Sequence, residues 1–211
     1  PYVAMTLDVL QQVGIGLRHD NHTRFEIPGG QNYTPFDQTV AGDWSAGAFQ
    51  LVIAALSGDP FLEVDGLGNS PTQADQAVTG ALLYSGAKMM RTETGIRVDR
   101  GRRKGFTFDA THCPDLFPPL AAYAAFCKGK TTLHGLHRLQ HKESDRGEAI
   151  ATEFGKAGIQ VELRPDEDAM VIHPGTVRSA TFHGRGDHRM VMAGTVLGLA
   201  GAPMEITGIE A

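Results

Sequence analysis

The spacing of apolar residues alternates between helical and extended periods along the chain. Val3, Leu7, Leu10 and Val13 keep helical spacing and predict a short helix that stops at Gly14. Residues 17–27 carry the turn cluster Asp20-Asn21-His22 between two extended runs and close on Pro28-Gly29-Gly30, which predicts a hairpin. Asp43 then precedes the run Phe49 to Leu56, a helix ending at Gly58 whose lack of a polar face predicts burial on several sides. A strand at 61–64, an amphipathic helix at about 72–85 stopped by Gly86, and strands near Met89 and at 96–98 complete the series.

The same order then returns. Asp43, Asp115 and Asp187 stand 72 residues apart and each precedes an apolar helix. Gly14, Gly86 and Gly158 share that interval and are expected to close the second helix of each unit; Gly58, Gly129 and Gly201, at intervals of 71 and 72, are expected to close the first. The unit is helix, strand, helix, strand, strand, too long for a common solenoid repeat and suited to copies packed about a shared core. Residues 1–42 read as the second half of a unit, 43–114 and 115–186 as whole units, and 187–211 as the first half of another. The expected fold class is therefore α/β (α+β), incomplete at both ends, and Pro1 in place of an initiator Met predicts a fragment.

Polar residues interrupt this pattern at one helix start. Ile150, Phe154 and Ala157 mark a buried face, and counting back by fours gives Arg146 and Lys142, with Glu143 about a hundred degrees round the helix. Either the stripe leaves the core there and the side chains reach solvent, or a helix N-terminus and two cations meet an anionic ligand. Asp115 sits in Cys113-Pro114-Asp115-Leu116-Phe117-Pro118-Pro119. N-capping explains it, as it explains Asp43 and Asp187, although a cap and a site are compatible. Asp187-His188-Arg189-Met190 sets a guanidinium against the positive end of a helix dipole; an intervening anion would relieve this, and an Arg lying over the surface is the alternative.

Composition narrows the classes. The 211 residues are 41% hydrophobic, enough for one large domain or parts of two, and the net charge of −5 argues against a dedicated nucleic-acid binder. Cys113 and Cys127 build no disulfide framework, no apolar run is long enough to span a membrane, and the start lacks a signal-peptide layout, so a cytoplasmic protein is expected. His134, His137 and His141 lie, on an extended reading, on different faces with no cysteine or carboxylate to complete a metal set. Gly129-Lys130-Thr131 lacks the earlier glycine of a P-loop, where Ala124 stands, and Arg100-Gly101-Arg102-Arg103-Lys104-Gly105 reads as a solvated turn. No metal and no cofactor are expected.

Taken together, Cys113-Pro114-Asp115-Leu116, Lys142-Glu143-Ser144-Asp145-Arg146 and Asp187-His188-Arg189-Met190 resemble, in order and spacing, the EPSP synthase family, the 3-phosphoshikimate 1-carboxyvinyltransferases. The segment Ala41-Gly42-Asp43-Trp44-Ser45-Ala46-Gly47-Ala48 follows that family too, so the likeness spans the chain but about half the family's usual length. It implies an enolpyruvyl-transferase-like fold with three related units per domain in pseudo-threefold arrangement. Residues 1–41 would then be the tail of a first domain and 42–211 most of a second. The implied reaction moves the enolpyruvyl group of phosphoenolpyruvate to the 5-hydroxyl of shikimate 3-phosphate and releases phosphate through a tetrahedral intermediate.

Carried over by motif, Asp115 would hold the shikimate hydroxyls and is a candidate base, and Glu143 would move a proton at the methylene carbon. Lys142 and Tyr2 would contact shikimate 3-phosphate, and Arg146 and Arg189 would clamp phosphoenolpyruvate with His188 beside them. Arg138 falls where some relatives have an asparagine, which leaves it a doubtful ligand, and Gln140 where many have arginine. The resemblance implies that the other half of the polypeptide completes the site and that this chain alone is inactive. The alternatives are a transferase acting on UDP-N-acetylglucosamine and a non-catalytic anion-binding module.

Overall fold

Helices that are apolar nearly all round must bury one another. The computed structural model, which describes residues 1–58, 60–68, 72–140, 142 and 144–210, shows this for three. These are α2 (Trp44–Ser57), α4 (Phe117–Ala124) and α6 (His188–Ala200), the first helix of each repeat, and each packs against the other two. All eight residues of α4 are buried, while α2 and α6 turn Leu51, Val52, Met190, Ala193 and Leu197 inward. Gly194 lets α6 lie close on Phe182, since a Cβ there would sit 2.8 Å from the ring.

Small sheets and second helices surround this centre. The first unit's sheet has the order β3 (Phe61–Asp65), β5 (Gly95–Asp99), β4 (Lys88–Arg91), all antiparallel, with Val64 opposite Ile96. Its second helix is divided, because a 3-10 turn at Ala74–Ala77 precedes α3 (Val78–Ser85). The middle sheet runs β6 (Thr107–Asp109), β7 (Thr131–His134), β9 (Ala169–His173), β8 (Gln160–Arg164), with α5 (Arg146–Lys156) against β8. Finally β10 (Ala180–His183) lies parallel to β11 (Met204–Thr207).

Two of these strands carry no signal in the sequence. β6 and β10 each end one unit and lie parallel to the first strand of the next, so they join successive repeats. They are three and four residues long and Phe182 is their one buried side chain, which leaves no alternation to read.

The glycine landmarks divide by cause. Gly14, Gly86 and Gly158 all take positive φ, the left-handed conformation that ends a helix. Gly58 and Gly201 are not left-handed but crowded: a Cβ would meet the Ala54 carbonyl at 2.6 Å or Val177 at 2.7 Å. Gly129 does not close a helix as expected, since α4 ends at Ala124 and the glycine follows a further turn.

Ahead of the centre lie α1 (Tyr2–Gln12) and the antiparallel hairpin β1 (Arg18–Asp20) and β2 (Arg24–Glu26), both as expected. No residue before Trp44 is buried. Among the described residues no helix is long and apolar enough to cross a membrane.

Candidate functional site

The three core helices begin at one end of the domain, and their entrances are built differently. At α2 the Asp43 carboxylate accepts from the Ser45 and Ala46 amides at 2.9 and 3.1 Å; at α6 Asp187 accepts from the Arg189 amide at 2.9 Å. Both are N-caps. Asp115 is not, which corrects the capping explanation. It lies within a 3-10 turn, Pro114–Leu116, ahead of α4; the Phe117 amide already donates to the Pro114 carbonyl, and Pro118 and Pro119 have no N–H to offer.

With no helix donor to accept from, the Asp115 carboxylate gathers three cations. Arg146 Nη1 lies at 2.8 Å, Lys142 Nζ at 3.1 Å and Arg189 Nη2 at 3.1 Å. Burial pushes its pKa up, but Arg189, Lys142 and the hydrogen bonds from Lys142 and Arg146 prevail and hold it below the usual carboxylate range. The group therefore stays ionised at neutral pH.

Arg146 answers the question its stripe position raised. It is fully buried, with Nε on Asp187 at 2.8 Å and Nη1 on Asp115, so the stripe does not leave the core there. Burial lowers its pKa, but the two carboxylates outweigh that and keep the guanidinium charged. Lys142 is another matter. Asp145 caps α5 by accepting from the Glu148 amide at 3.2 Å, so the helix starts at Arg146 and Lys142 precedes it. The pair Asp145 and Glu148 is a capping signature that marks this boundary in the sequence.

Arg189 ties the third entrance to the first. Its Nε and Nη2 donate to Ser45 Oγ at 3.1 and 2.8 Å, and its Nη1 donates to Nε2 of the exposed His188 at 2.9 Å. Tyr2, more than a third exposed, donates from its hydroxyl to Asp75 Oδ2 at 3.1 Å. Burial and then the Asp75 charge raise the phenol's pKa above its ordinary value, so it remains protonated.

The structure thus joins Asp115, Lys142, Arg146 and Arg189 directly, with His188 at the edge. Arg138 stands apart, exposed in a 3-10 turn at Leu136–Leu139. Glu143 lies outside the described residues. Three members were not read as site residues in the sequence. Asp187 hid behind its capping role, Ser45 looked like a small helix residue, and Asp75 lies in a stretch with no motif. Elsewhere, Arg102, Arg103, Lys104 and Lys128 line an open hollow of 610 Å³ on the connection between β5 and β6. His137 pairs with Asp168 at 2.7 Å, and among the described residues no group of three or more His, Cys, Asp or Glu is placed to hold a metal.

These features define an α/β domain of repeated units around three helices, with an ionic site at their entrances. The chain belongs to the EPSP synthase (3-phosphoshikimate 1-carboxyvinyltransferase) family, whose model matches residues 1–211. It is 36% identical to the 3-phosphoshikimate 1-carboxyvinyltransferase of Ruminiclostridium cellulolyticum, covering 94% of this chain and 46% of that protein. It is likewise 36% identical to the enzyme of the same name from Methanosarcina acetivorans, covering 100% and 49%. Among solved structures, EPSP synthase from Acinetobacter baumannii superposes with a TM-score of 0.76 at 25% identity, covering 97% of this chain and 50% of that one. The chain spans about half the length of the curated relatives it matches.

Proposed function

We propose that this chain supplies one side of an active site that transfers the enolpyruvyl group of phosphoenolpyruvate to the 5-hydroxyl of shikimate 3-phosphate. The observation that carries this reading is the convergence of Lys142, Arg146 and Arg189 on Asp115 at the entrances of three core helices. Both substrates are anions, and positive helix ends with fixed cations suit them. Residues 1–41 belong on this reading to the end of one domain and 42–211 to most of a second, further polypeptide provides the facing wall, and the protein works in the cytoplasm. The relatives are named for the shikimate reaction, which favours it over transfer to UDP-N-acetylglucosamine.

The chemistry follows from charge. Asp115, ionised and buried, accepts hydrogen bonds from shikimate hydroxyls. When substrate phosphate and carboxylate draw Lys142 and Arg189 away from it, its basicity rises where the attacking hydroxyl must lose a proton. The hydroxyl oxygen bonds to C2 of phosphoenolpyruvate while the methylene carbon takes a proton, the step assigned by family likeness to Glu143. Loss of that proton and of phosphate from the tetrahedral intermediate gives the enolpyruvyl ether. Arg189, with Arg146 behind it, offsets the charge that gathers on the phosphate and carboxylate.

Phosphate release from the two substrates tests this. A polypeptide that includes the facing half should turn over and lose activity on Asp115→Asn, whereas the 211-residue chain alone should not. Robust turnover by the chain alone would sink the half-site reading, and turnover with UDP-N-acetylglucosamine instead would sink the substrate assignment.

A further inference from the structure

Beside the ionic cluster one carboxylate is left half satisfied. Asp75, in the 3-10 turn before α3, is 3% exposed. Its Oδ2 accepts from the Tyr2 hydroxyl, while the buried Oδ1 has no hydrogen-bond partner among the described residues. An ionised carboxylate in that position is expensive. The charged and titratable groups facing it come from every neighbouring element. Burial first, then Asp115 from the turn before α4 and Asp43 from the α2 entrance, oppose its ionisation, while the Tyr2 hydrogen bond and Arg189 of α6 favour it. The balance raises its pKa from the ordinary carboxylate value to about 6. Cys113 beside it adds no charge near neutrality, its thiol being pushed up to about 12 by burial and the nearby acids.

We infer that Asp75 is a positioning residue that acts through Tyr2. Ionised, Asp75 takes the phenol hydrogen bond for itself; protonated on Oδ2, it donates to Tyr2 Oη and frees the phenol hydrogen for a phosphate oxygen of shikimate 3-phosphate. This rests on the substrate assignment above. The proton balance is simple: Asp75 takes one proton from solvent, and the phenol keeps its own in both states. A phosphate beside Tyr2 adds negative charge, and that change favours the protonated acid. Binding of the phosphate ester and proton uptake at Asp75 therefore reinforce each other.

Carbon-13 carboxyl resonances followed with pH, in the 211-residue chain without ligand and in a polypeptide that includes the facing half with and without shikimate 3-phosphate, test this without any substitution. Asp75 should titrate near 6 in the free chain and at least about one unit higher with ligand, a tenfold coupling. Because a phosphate ester titrates in the same range, proton uptake on binding is compared by calorimetry between wild type and Asp75→Asn, whose amide donates to Tyr2 as the protonated acid does. The variant should bind and lose the extra uptake. A free Asp75 midpoint in the ordinary carboxylate range would overturn the inference, as would ligand that shifts Tyr2 and Lys142 signals but leaves Asp75 unmoved. Ligand that shifts none of them would sink the substrate assignment, and this inference with it.

Discussion

The entrances of α2 and α4 start from the same repeat position and end in opposite chemistry. At α2, Asp43 closes onto two amides of its own helix, and the entrance is finished locally. At α4, Asp115 has no such amides and is finished by three cations brought from beyond its own helix. The repeat therefore fixes where an acid stands, while its surroundings decide what the acid does. A landmark shared by three units is evidence for the scaffold, and the unit that departs from its siblings is the place to look for function.

The largest expected effect comes from removing the cation on which the middle entrance depends. Arg146→Met would leave Asp115 and Asp187 charged and buried without their shared partner, at a cost of about 3–5 kcal/mol. Lys142→Met, which removes a partly exposed cation from the same carboxylate, should cost under about 1 kcal/mol. Urea unfolding of both variants measures the contrast, and equal losses would mean that the buried network does not distinguish this entrance.

Next in size is the pair of acids whose pKa values move apart. Asp75 is raised to about 6 in the folded chain, so the native state holds its proton where the unfolded state has lost it. Stability therefore falls as pH rises from about 4 to 6, by on the order of 2–3 kcal/mol, and levels off above. Asp115 is lowered, so its contribution is present above the unfolded carboxylate pKa and disappears as pH falls below about 4. Asp75→Asn should remove the first slope and leave the second. Unfolding midpoints at pH 2, 4, 6 and 8 show the difference, and a variant that keeps the upper slope would place the titration elsewhere.

Asp43→Ala should cost about 1 kcal/mol, the worth of an ordinary cap. For a chain of this size that lowers the melting temperature by roughly 2–4 °C. A much larger loss would show that the α2 entrance also carries weight for the site, through Ser45 and Arg189.

How much of this was legible in the residues follows the same division. Scaffold features written in periodicity were plain: α1, the hairpin, α2 and the left-handed glycines at 14, 86 and 158 all stand where spacing put them. Short strands joining units, β6 and β10, were invisible because pairing rather than side-chain pattern makes them. The start of α5 was extended one turn too far, since the stripe through Arg146 continues by coincidence to Lys142 and the capping pair Asp145 and Glu148 was passed over. At the site, single motifs announced Asp115, Lys142, Arg146 and Arg189. The links among them, and the partnership of Tyr2 with Asp75, 73 residues away, are products of packing that no local pattern encodes.

The smallest effect separates two causes of the divergence at α4. Asp115 fails to cap either because Pro118 denies it an amide or because three cations outbid any amide. Pro118→Ala restores the N–H and leaves the cations in place. Charge-assisted bonds to two guanidinium groups and an ammonium are each stronger than one neutral cap bond, so the carboxylate should stay where it is. The cost should be the lost rigidity of the unfolded chain, about 0.4–1 kcal/mol, with the acid limb of the stability curve unchanged. If the carboxylate turned back onto the helix, its ion pairs would loosen, its pKa would rise, and acid unfolding would begin at higher pH. That outcome would assign the divergence to the prolines; an unchanged acid limb assigns it to the cations.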